Sequence, residues 1–156
     1  MPNKANQTPF EIISTIAQKA GLNDDFTYTY AQILGGVFNT ENHSSELLGD
    51  DQLIVESLNK IAENISDDFS FDFDGNEYRI ICDGAIWDIY VEEIKRIVDE
   101  CYDLKLDKIP AFVAISVNWE ATAHNAYVDG YGHTFSSYDG GETTSDNRGY
   151  WIFRTN

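Results

Sequence analysis

The chain is poor in cationic side chains and has no long apolar run. Its 156 residues include 10 Lys and Arg against 27 Asp and Glu, which gives a formal net charge of -17. A field of that sign repels phosphate, so direct binding to nucleic acid or to an anionic membrane surface is disfavoured. No apolar run approaches the roughly 20 residues of a membrane span. We therefore expect neither a nucleic-acid-binding protein nor a membrane protein.

Cysteine is also scarce, with two residues in the chain. Cys82 and Cys101 make no disulfide framework, and Cys101 lies on the apolar face of a predicted helix, which favours a buried structural thiol. Residues 1–7 are polar and lack the basic and then apolar pattern of a signal peptide. We expect a cytoplasmic protein that carries no cofactor.

The composition is otherwise typical of a folded domain. Hydrophobic residues make up 42% of the chain and aromatic residues 13%, which argues against intrinsic disorder. At roughly 150 residues per domain, the length fits one domain that can fold without metal or disulfide. We expect a single domain over residues 1–156, with residues 1–7 flexible.

Helical patterns dominate the N-terminal part. Thr8 and Glu11 can form a capping box at the start of a first helix. A short second helix is predicted over about residues 27–34, ended by Gly35-Gly36. A third helix, with a continuous apolar stripe, is predicted over about residues 51–65.

The spacing of the apolar residues then changes from the helical period to the two-residue period of a strand. Residues 69–73 alternate phenylalanine with polar side chains, Asp74-Gly75-Asn76 is a turn signal, and residues 78–82 are β-prone. This pattern predicts a β-hairpin. A long helix is predicted over about residues 85–104, because apolar residues recur on one of its faces as far as Leu104.

The C-terminal part mixes strand and helix signals. We predict a strand at 112–117, a short helix at 119–126, and a closing hairpin formed by 134–138 and 150–154. The predicted class is therefore α+β, with N-terminal helices, a long central helix and a small antiparallel sheet of hairpins.

The acids around the predicted hairpin turn resemble a calcium-binding loop in their spacing. Asp72, Asp74, Asn76 and Asp83 fall at positions 1, 3, 5 and 12 of an EF-hand count. Position 6, which requires glycine, is Glu77, and the flanks are predicted strands. The hairpin interpretation is favoured, and the three histidines match no standard zinc spacing. We expect no metal.

A hydrolytic site is a weaker alternative. His133, Ser136 or Ser137, and Asp139 are the residue types of a nucleophile triad. On a strand they would lie side by side and point outward, whereas a triad needs a base and an orienting group that converge on the nucleophile. No Gly-x-Ser-x-Gly elbow is present. We expect that the protein is not an enzyme. A hydrolase whose site contains His133 and Ser137 is the alternative class.

Aromatic residues are concentrated near the C-terminus, and seven of them lie between Tyr127 and Phe153. A single-strand stacking platform would need a basic groove, and this segment offers only Arg148 and Arg154. Core packing and cross-strand pairs are the favoured role of these rings.

The acids are spread through predicted folded segments. Residues 51–100 hold fourteen of them, and no run of like charge marks a disordered tail. A small domain is usually soluble at a net charge of about 2–8 in magnitude, so the surplus invites another explanation. The candidate partner-binding residues are Asp67, Asp68, Asp72, Asp74, Asp88, Glu92, Asp99 and Asp103.

In size, charge and even spread of carboxylates, the chain resembles small acidic counter-defence proteins of phages and plasmids, the anti-CRISPR and antirestriction DNA mimics. The stretches 129–133, 135–140 and 150–156 also resemble the endings of small proteins from mobile elements. This resemblance implies action inside a host cell. DNA mimics share no common fold or motif, so it assigns no residue a role.

The leading hypothesis is a non-enzymatic inhibitor that competes with nucleic acid for a basic host defence protein. One alternative is an interaction module that uses the C-terminal aromatic hairpin without mimicry. Another is an acidic protein from a halophilic source, because such an environment also selects acidic surfaces. Homodimerisation is left open.

Overall fold

The computed structural model describes residues 7–22, 25–40, 46–102, 104, 108–145 and 147–156. Within these ranges the fold is α+β, as predicted, with helices α1 to α6 and an antiparallel sheet of strands β1 to β4. The bounds in chain order are α1 Pro9–Lys19, α2 Asp25–Thr40, α3 Asp51–Asn64, β1 Asp68–Phe73, β2 Asn76–Cys82, α4 Ile86–Cys101, α5 Trp119–Ala126, α6 Gly132–Phe135, β3 Thr143–Thr144 and β4 Tyr150–Arg154. A short 3-10 helix at Leu47–Gly49 precedes α3. The predicted flexibility of residues 1–7 falls almost wholly outside the described residues.

The predicted helix starts are confirmed by their hydrogen bonds. The Thr8 hydroxyl accepts from the Glu11 backbone N–H at 3.3 Å, and the Glu11 carboxylate accepts from the Thr8 N–H at 2.8 Å. Asp50 caps α3 by accepting from the Leu53 N–H at 3.0 Å. Each cap satisfies backbone donors that have no partner inside the helix.

Helix α2 corrects the prediction of a short helix over residues 27–34. It runs through Gly35-Gly36 to Thr40, and residues 31–38 are all buried. A Cβ on Gly35 would lie 3.3 Å from the backbone of Phe10, and one on Gly36 would lie 2.4 Å from Cδ1 of Ile152. The glycines therefore allow close approach of α1 and of the sheet, and they do not end the helix.

The sheet has the order β1-β2-β4-β3, and its described neighbours are all antiparallel. The predicted hairpin is confirmed, with Phe73 opposite Asn76 and a two-residue turn between them. Asp74 has a φ of 50° and Gly75 a φ of 77°. Positive φ at both central residues is the type I′ geometry, which matches the twist of the flanking strands.

Each face of the sheet is covered by a different set of helices. One face presents Phe69, Phe71, Phe73, Tyr78, Ile80 and Ile152 to α1, α2 and α3. The opposite face presents Ile81 and Phe153 to α4, α5 and α6. Because side chains alternate along a strand, the two hydrophobic clusters lie on opposite sides of one sheet.

Two C-terminal predictions are wrong. Residues 112–117 form the end of a turn and a segment without regular secondary structure rather than a strand, and residues 134–138 do not pair with β4. Strand β4 lies inside the sheet between β2 and β3, so the predicted closing hairpin is replaced by pairing with 76–82 and with 143–144. The prediction of a short helix at 119–126 is confirmed as α5.

Helix α4 is confirmed but ends at Cys101, before the predicted end at Leu104. Its buried stripe is Ile86, Tyr90 and Ile94, and Ile97 is half-buried. Cys101 is exposed, which overturns the prediction of a buried thiol, and Leu104 is exposed as well. The last turn of α4 therefore extends beyond the hydrophobic core that its first turns cover.

Candidate acidic interaction surface

The outer face of β1 is exposed beside α4. Asp68, Ser70 and Asp72 alternate with the three buried phenylalanines of the strand and project from the same side of the sheet as α4. Helices α4 and α6 cover the neighbouring strands β2 and β4 on this side through Ile81 and Phe153. The polar face of β1 therefore borders α4 without being covered by it.

Arg79 neutralises one end of this face. Its guanidinium makes a bidentate contact to Asp68, at 2.7 and 2.9 Å, and lies 4.8 Å from the centre of the Phe135 ring. The hydrogen bonds to Asp68 raise the pKa of Arg79 above its ordinary value, against the opposing effect of burial. Asp68 is therefore an ion-paired carboxylate, fixed in position by two hydrogen bonds.

The other end of the face carries two like charges opposite each other. Asp72 of β1 faces Glu77 of β2, and both side chains are exposed. The two-residue turn makes Phe73 and Asn76 a hydrogen-bonded pair, so Asp72 and Glu77 form a close, non-hydrogen-bonded pair with Cβ atoms about 4.5–5.5 Å apart. In the described part of the chain, no salt bridge involves either carboxylate. This pair is an uncompensated double negative charge.

A second line of acids runs along α4. Asp88, Glu92 and Asp99 are exposed and lie opposite the buried stripe of the helix, with half-buried Lys95 among them. At about 1.5 Å per residue the line is about 16 Å long. Of the described residues, none forms a salt bridge with these three acids.

An ion-pair cluster separates the two lines. Arg96 contacts Glu93 and Glu100, the latter at 2.6 Å, on the flank of α4. Hydrogen bonding by Arg96 holds the pKa of Glu93 below its ordinary value, and the charges of Arg79 and Asp68 also act on Glu93. Glu93 therefore lies between the arginine of the helix and that of the sheet.

Seven of the eight predicted residues lie in the hairpin, directly before it, or on α4. The acidic surface comprises exposed or half-buried carboxylates of the hairpin and of α4, namely Asp67, Asp68, Asp72, Asp74, Glu77, Asp88, Glu92, Glu93, Asp99 and Glu100. Asp67 precedes β1 and Asp74 lies in its turn. Asp103 lies outside the described residues.

Three members of the acidic surface were absent from the predicted set. Glu77 could have been found from the turn, because a two-residue turn at Asp74-Gly75 places it opposite Asp72. Glu93 and Glu100 follow from helical spacing, since both lie within reach of Arg96 at i,i+3 and i,i+4. Their pairing with Arg96 lowers the net charge that they contribute.

The residues of the alternative hydrolytic site do not lie on a strand. His133 belongs to the short helix α6, is exposed, and approaches Asp129 at 3.7 Å. The hydroxyl of Ser136 lies 3.0 Å from an Asp139 carboxylate oxygen and 2.8 Å from the Arg154 carbonyl oxygen. The Gly141 N–H and then Ser136 hold the pKa of Asp139 below its ordinary value. Asp139 is held within the loop that follows α6.

Most aromatic residues of the C-terminal part belong to the hydrophobic cluster between the sheet and α4, α5 and α6, which confirms the predicted role in core packing. Tyr90 packs edge-to-face on Tyr131 and Phe135, at 5.4 and 6.0 Å between ring centres. Burial raises the pKa values of Tyr90 and Tyr131. Tyr138 is 56% exposed, and the Arg154 guanidinium lies 3.6 Å from the centre of its ring.

Neither a metal site nor a membrane span is found in the described ranges. No three His, Cys, Asp or Glu side chains there are grouped as they would be around a metal ion. None of the described helices has the length and apolar character needed to cross a membrane.

Comparison with protein-family models, with curated proteins and with solved structures gives no match for this chain.

Proposed function

We propose that this protein inhibits a basic nucleic-acid-binding protein by occupying its nucleic-acid site, with the carboxylates of the acidic surface in place of phosphates. The pair of Asp72 and Glu77 carries the proposal. Like charges opposite each other across two strands destabilise a hairpin by about 0.2–1 kcal/mol. A cationic partner that lies between them offsets that cost on binding.

The charge density along α4 supports the proposal. Asp88, Glu92 and Asp99 are separated on average by roughly 8 Å of helix axis, against about 3.4 Å between successive phosphates on a single DNA strand. The hairpin adds the pair of Asp72 and Glu77 on two adjacent strands. Together these charges offer a basic groove several carboxylates on rigid elements, at a density lower than that of the phosphates of nucleic acid.

The fixed geometry of the acids also supports the proposal. Asp72 lies in a strand between buried phenylalanines, and Glu92 lies on a helix whose opposite side is packed in the core. Charges on such elements lose little conformational freedom on binding, which limits the entropic cost of association. Association is then fast, steered over long range, and strongly dependent on salt.

The experiment uses the full chain immobilised on a resin and a cell lysate treated with nuclease. The test variant is Asp72→Lys, Glu77→Lys and Glu92→Lys, since all three are exposed and none is in a salt bridge within the described residues. We expect the original chain to retain basic nucleic-acid-binding proteins at low salt and to release them at high salt. The test variant is expected to retain none of them.

The matched control is Asp51→Lys, Glu56→Lys and Glu63→Lys on α3, which covers the other face of the sheet. These three side chains are also exposed, and the control changes the net charge by the same amount. Thermal unfolding verifies that both variants fold. Equal loss of retention in both variants would show that net charge alone acts, and unchanged retention by the test variant would refute the mimic.

An interaction module at the C-terminus is a second proposal, and substitution tests it better than deletion. Deletion of residues 127–156 would remove β3 and the interior strand β4 and leave only the β1–β2 hairpin of the sheet. Exposed Val128 and Tyr138 can instead be replaced by Ser, since 79% and 56% of their surfaces are exposed. Loss of retention in this double variant, with the acidic surface intact, would favour the C-terminal module.

A further inference from the structure

The loop between α4 and α5 exposes an apolar segment that the acidic surface does not use. Residues 109–119 contain no charged side chain. Residues 111–116 are all exposed, and Phe112 is 90% and Ile115 50% exposed. The backbone N–H of Val113 donates to the Pro110 carbonyl at 2.9 Å, which closes a turn with Phe112 near its tip. The chain then continues without regular structure to α5.

The sequence of this segment is typical of a strand. Val113, Ile115 and Val117 alternate with Ala114 and Ser116, and three of the five side chains are β-branched and apolar. The segment nevertheless pairs with no strand in the described part of its own chain. An exposed apolar segment of this kind indicates an interaction site.

Strand β1 provides an edge of matching length. It is the terminal strand of the sheet, with β2 on one side only. The Cys82 N–H donates to the Asp67 carbonyl, so the alternation of an antiparallel ladder turns the backbone N–H and C=O groups of Ser70 and Asp72 away from β2. Five residues of segment 113–117 span about 17 Å, within the length of the six-residue strand β1.

The charge on β1 selects its partner strand. Asp68 and Asp72 project from one face of the edge strand, so an acidic strand beside it would add like charges at close range. Segment 113–117 has no charge and adds no repulsion. It can place Ala114 and Ser116 on the acidic face, and Val113, Ile115 and Val117 on the face of the buried phenylalanines.

We infer that a second copy of this chain donates residues 113–117 as an added strand at the free edge of β1. Both the donor and the acceptor are present in every copy, so reciprocal donation gives a two-fold dimer. Main-chain hydrogen bonds supply affinity in strand addition, and alternate side chains supply register. Phe112, beside the added strand, serves as an aromatic anchor.

The test is sedimentation equilibrium of the full chain over a range of concentrations. Two variants interrupt opposite sides of the contact: Ile115→Asp adds a charge to the donor, and Ser70→Pro removes an outward N–H from the acceptor edge, where proline is tolerated. We expect a dimer for the original chain and a rise in the dissociation constant of at least roughly tenfold for each variant. Ser70→Thr and Val128→Asp are the controls, and both are expected to dimerise.

A mixture of the two variants tests donation directly. The Ser70→Pro chain retains an intact donor segment and the Ile115→Asp chain retains an intact acceptor edge. The mixture should therefore form heterodimers, although each variant alone stays largely monomeric. A monomer at all concentrations, or self-association that both variants leave unchanged, would overturn the inference. The residues differ from those of the triple lysine variant, so failure here leaves the proposed inhibition to be decided by its own experiment.

Discussion

At the scale of single residues, two arginines decide which carboxylates remain uncompensated. Arg79 pairs with Asp68, and Arg96 pairs with Glu93 and Glu100. The cations of the hairpin and of α4 thus neutralise the flanks of the acidic surface and leave Asp72, Glu77 and the outer line of α4 without an ion pair among the described residues. Within the acidic surface, the carboxylates without such an ion pair are therefore those at the turn end of the hairpin and on the outer side of α4.

Glu93→Gln tests the Arg96 cluster through pH. The pKa of Glu93 is lowered in the folded protein, so its ionised form contributes stability above the unfolded pKa of about 4.3, and that contribution is lost as pH falls through the lowered folded pKa. We expect the variant to be less stable by about 0.5–1 kcal/mol at neutral pH, because the pair is partly exposed. The difference from the original chain should disappear in strong acid.

Urea unfolding at several pH values measures this difference. Glu100→Gln is the matched control, since Glu100 also contacts Arg96 but its side chain is 58% exposed against 22% for Glu93. Its effect should be smaller. A Glu93→Gln effect that stays constant from neutral pH into strong acid would contradict the assigned role of the ion pair.

Gly132 is required by the close approach of two backbone segments. A Cβ at this position would lie 2.0 Å from the Gly140 carbonyl oxygen, so the loop after α6 would have to move. We expect Gly132→Ala to destabilise the protein by about 1–3 kcal/mol, as overpacking does. Gly49→Ala is the control, because nothing lies within 4 Å of a Cβ there. Equal unfolding midpoints for the two variants would contradict this packing.

At the scale of secondary structure elements, the like-charge pair of the hairpin lowers the stability of the fold and is also the pair on which the proposed function rests. Replacing Glu77 by Lys converts the like-charge pair with Asp72 into an attractive one. We expect Glu77→Lys to raise the free energy of unfolding by about 0.2–1 kcal/mol and to weaken retention of basic partners. Stability and binding should therefore change in opposite directions, as measured by thermal unfolding and by the retention assay.

Glu56→Lys on α3 provides the comparison for the hairpin variant. It changes the net charge by the same amount at an exposed position on the opposite side of the sheet. Retention should remain close to that of the original chain. If Glu77→Lys lowers stability, or if both variants bind equally well, the functional interpretation of the like-charge pair is wrong.

Local patterns predicted most of the elements, and tertiary contacts account for the errors. The alternation of Phe69, Phe71 and Phe73 and the turn at Asp74-Gly75 were sufficient for the hairpin, because both signals are local. Gly35-Gly36 indicated a helix end, but the approach of α1 and of Ile152 requires glycine inside α2. No local pattern reveals that contact, since its partners lie at distant points in the chain.

The candidate site was predictable to a similar extent. Helical spacing placed Asp88, Glu92 and Asp99 on one exposed face, and the structure has them there. The sequence did not indicate that β1 borders α4, because that neighbourhood depends on β4 entering the sheet beside β2. The errors at 112–117 and 134–138 have the same origin, as β-prone residues join a sheet only where an edge is within reach.

At the scale of the whole molecule, a net charge of -17 opposes compactness. Repulsion among exposed carboxylates destabilises the folded chain, and salt screens it with a Debye length of about 10 Å at 0.1 M. We expect the unfolding midpoint to rise as monovalent salt is added at neutral pH, while retention of basic partners falls. A midpoint that declines with salt would show that attractive pairs dominate the surface.

The central claim is that the acidic surface competes with nucleic acid for one site, and a displacement titration tests it most directly. A basic protein retained by the chain is bound to labelled duplex DNA, and the release of DNA is followed by fluorescence anisotropy as the chain is added. The account predicts complete displacement by the original chain and by the α3 control, with salt-dependent affinity, and none by the Asp72→Lys, Glu77→Lys and Glu92→Lys variant. Simultaneous binding of chain and DNA, or displacement by all three proteins alike, would contradict it.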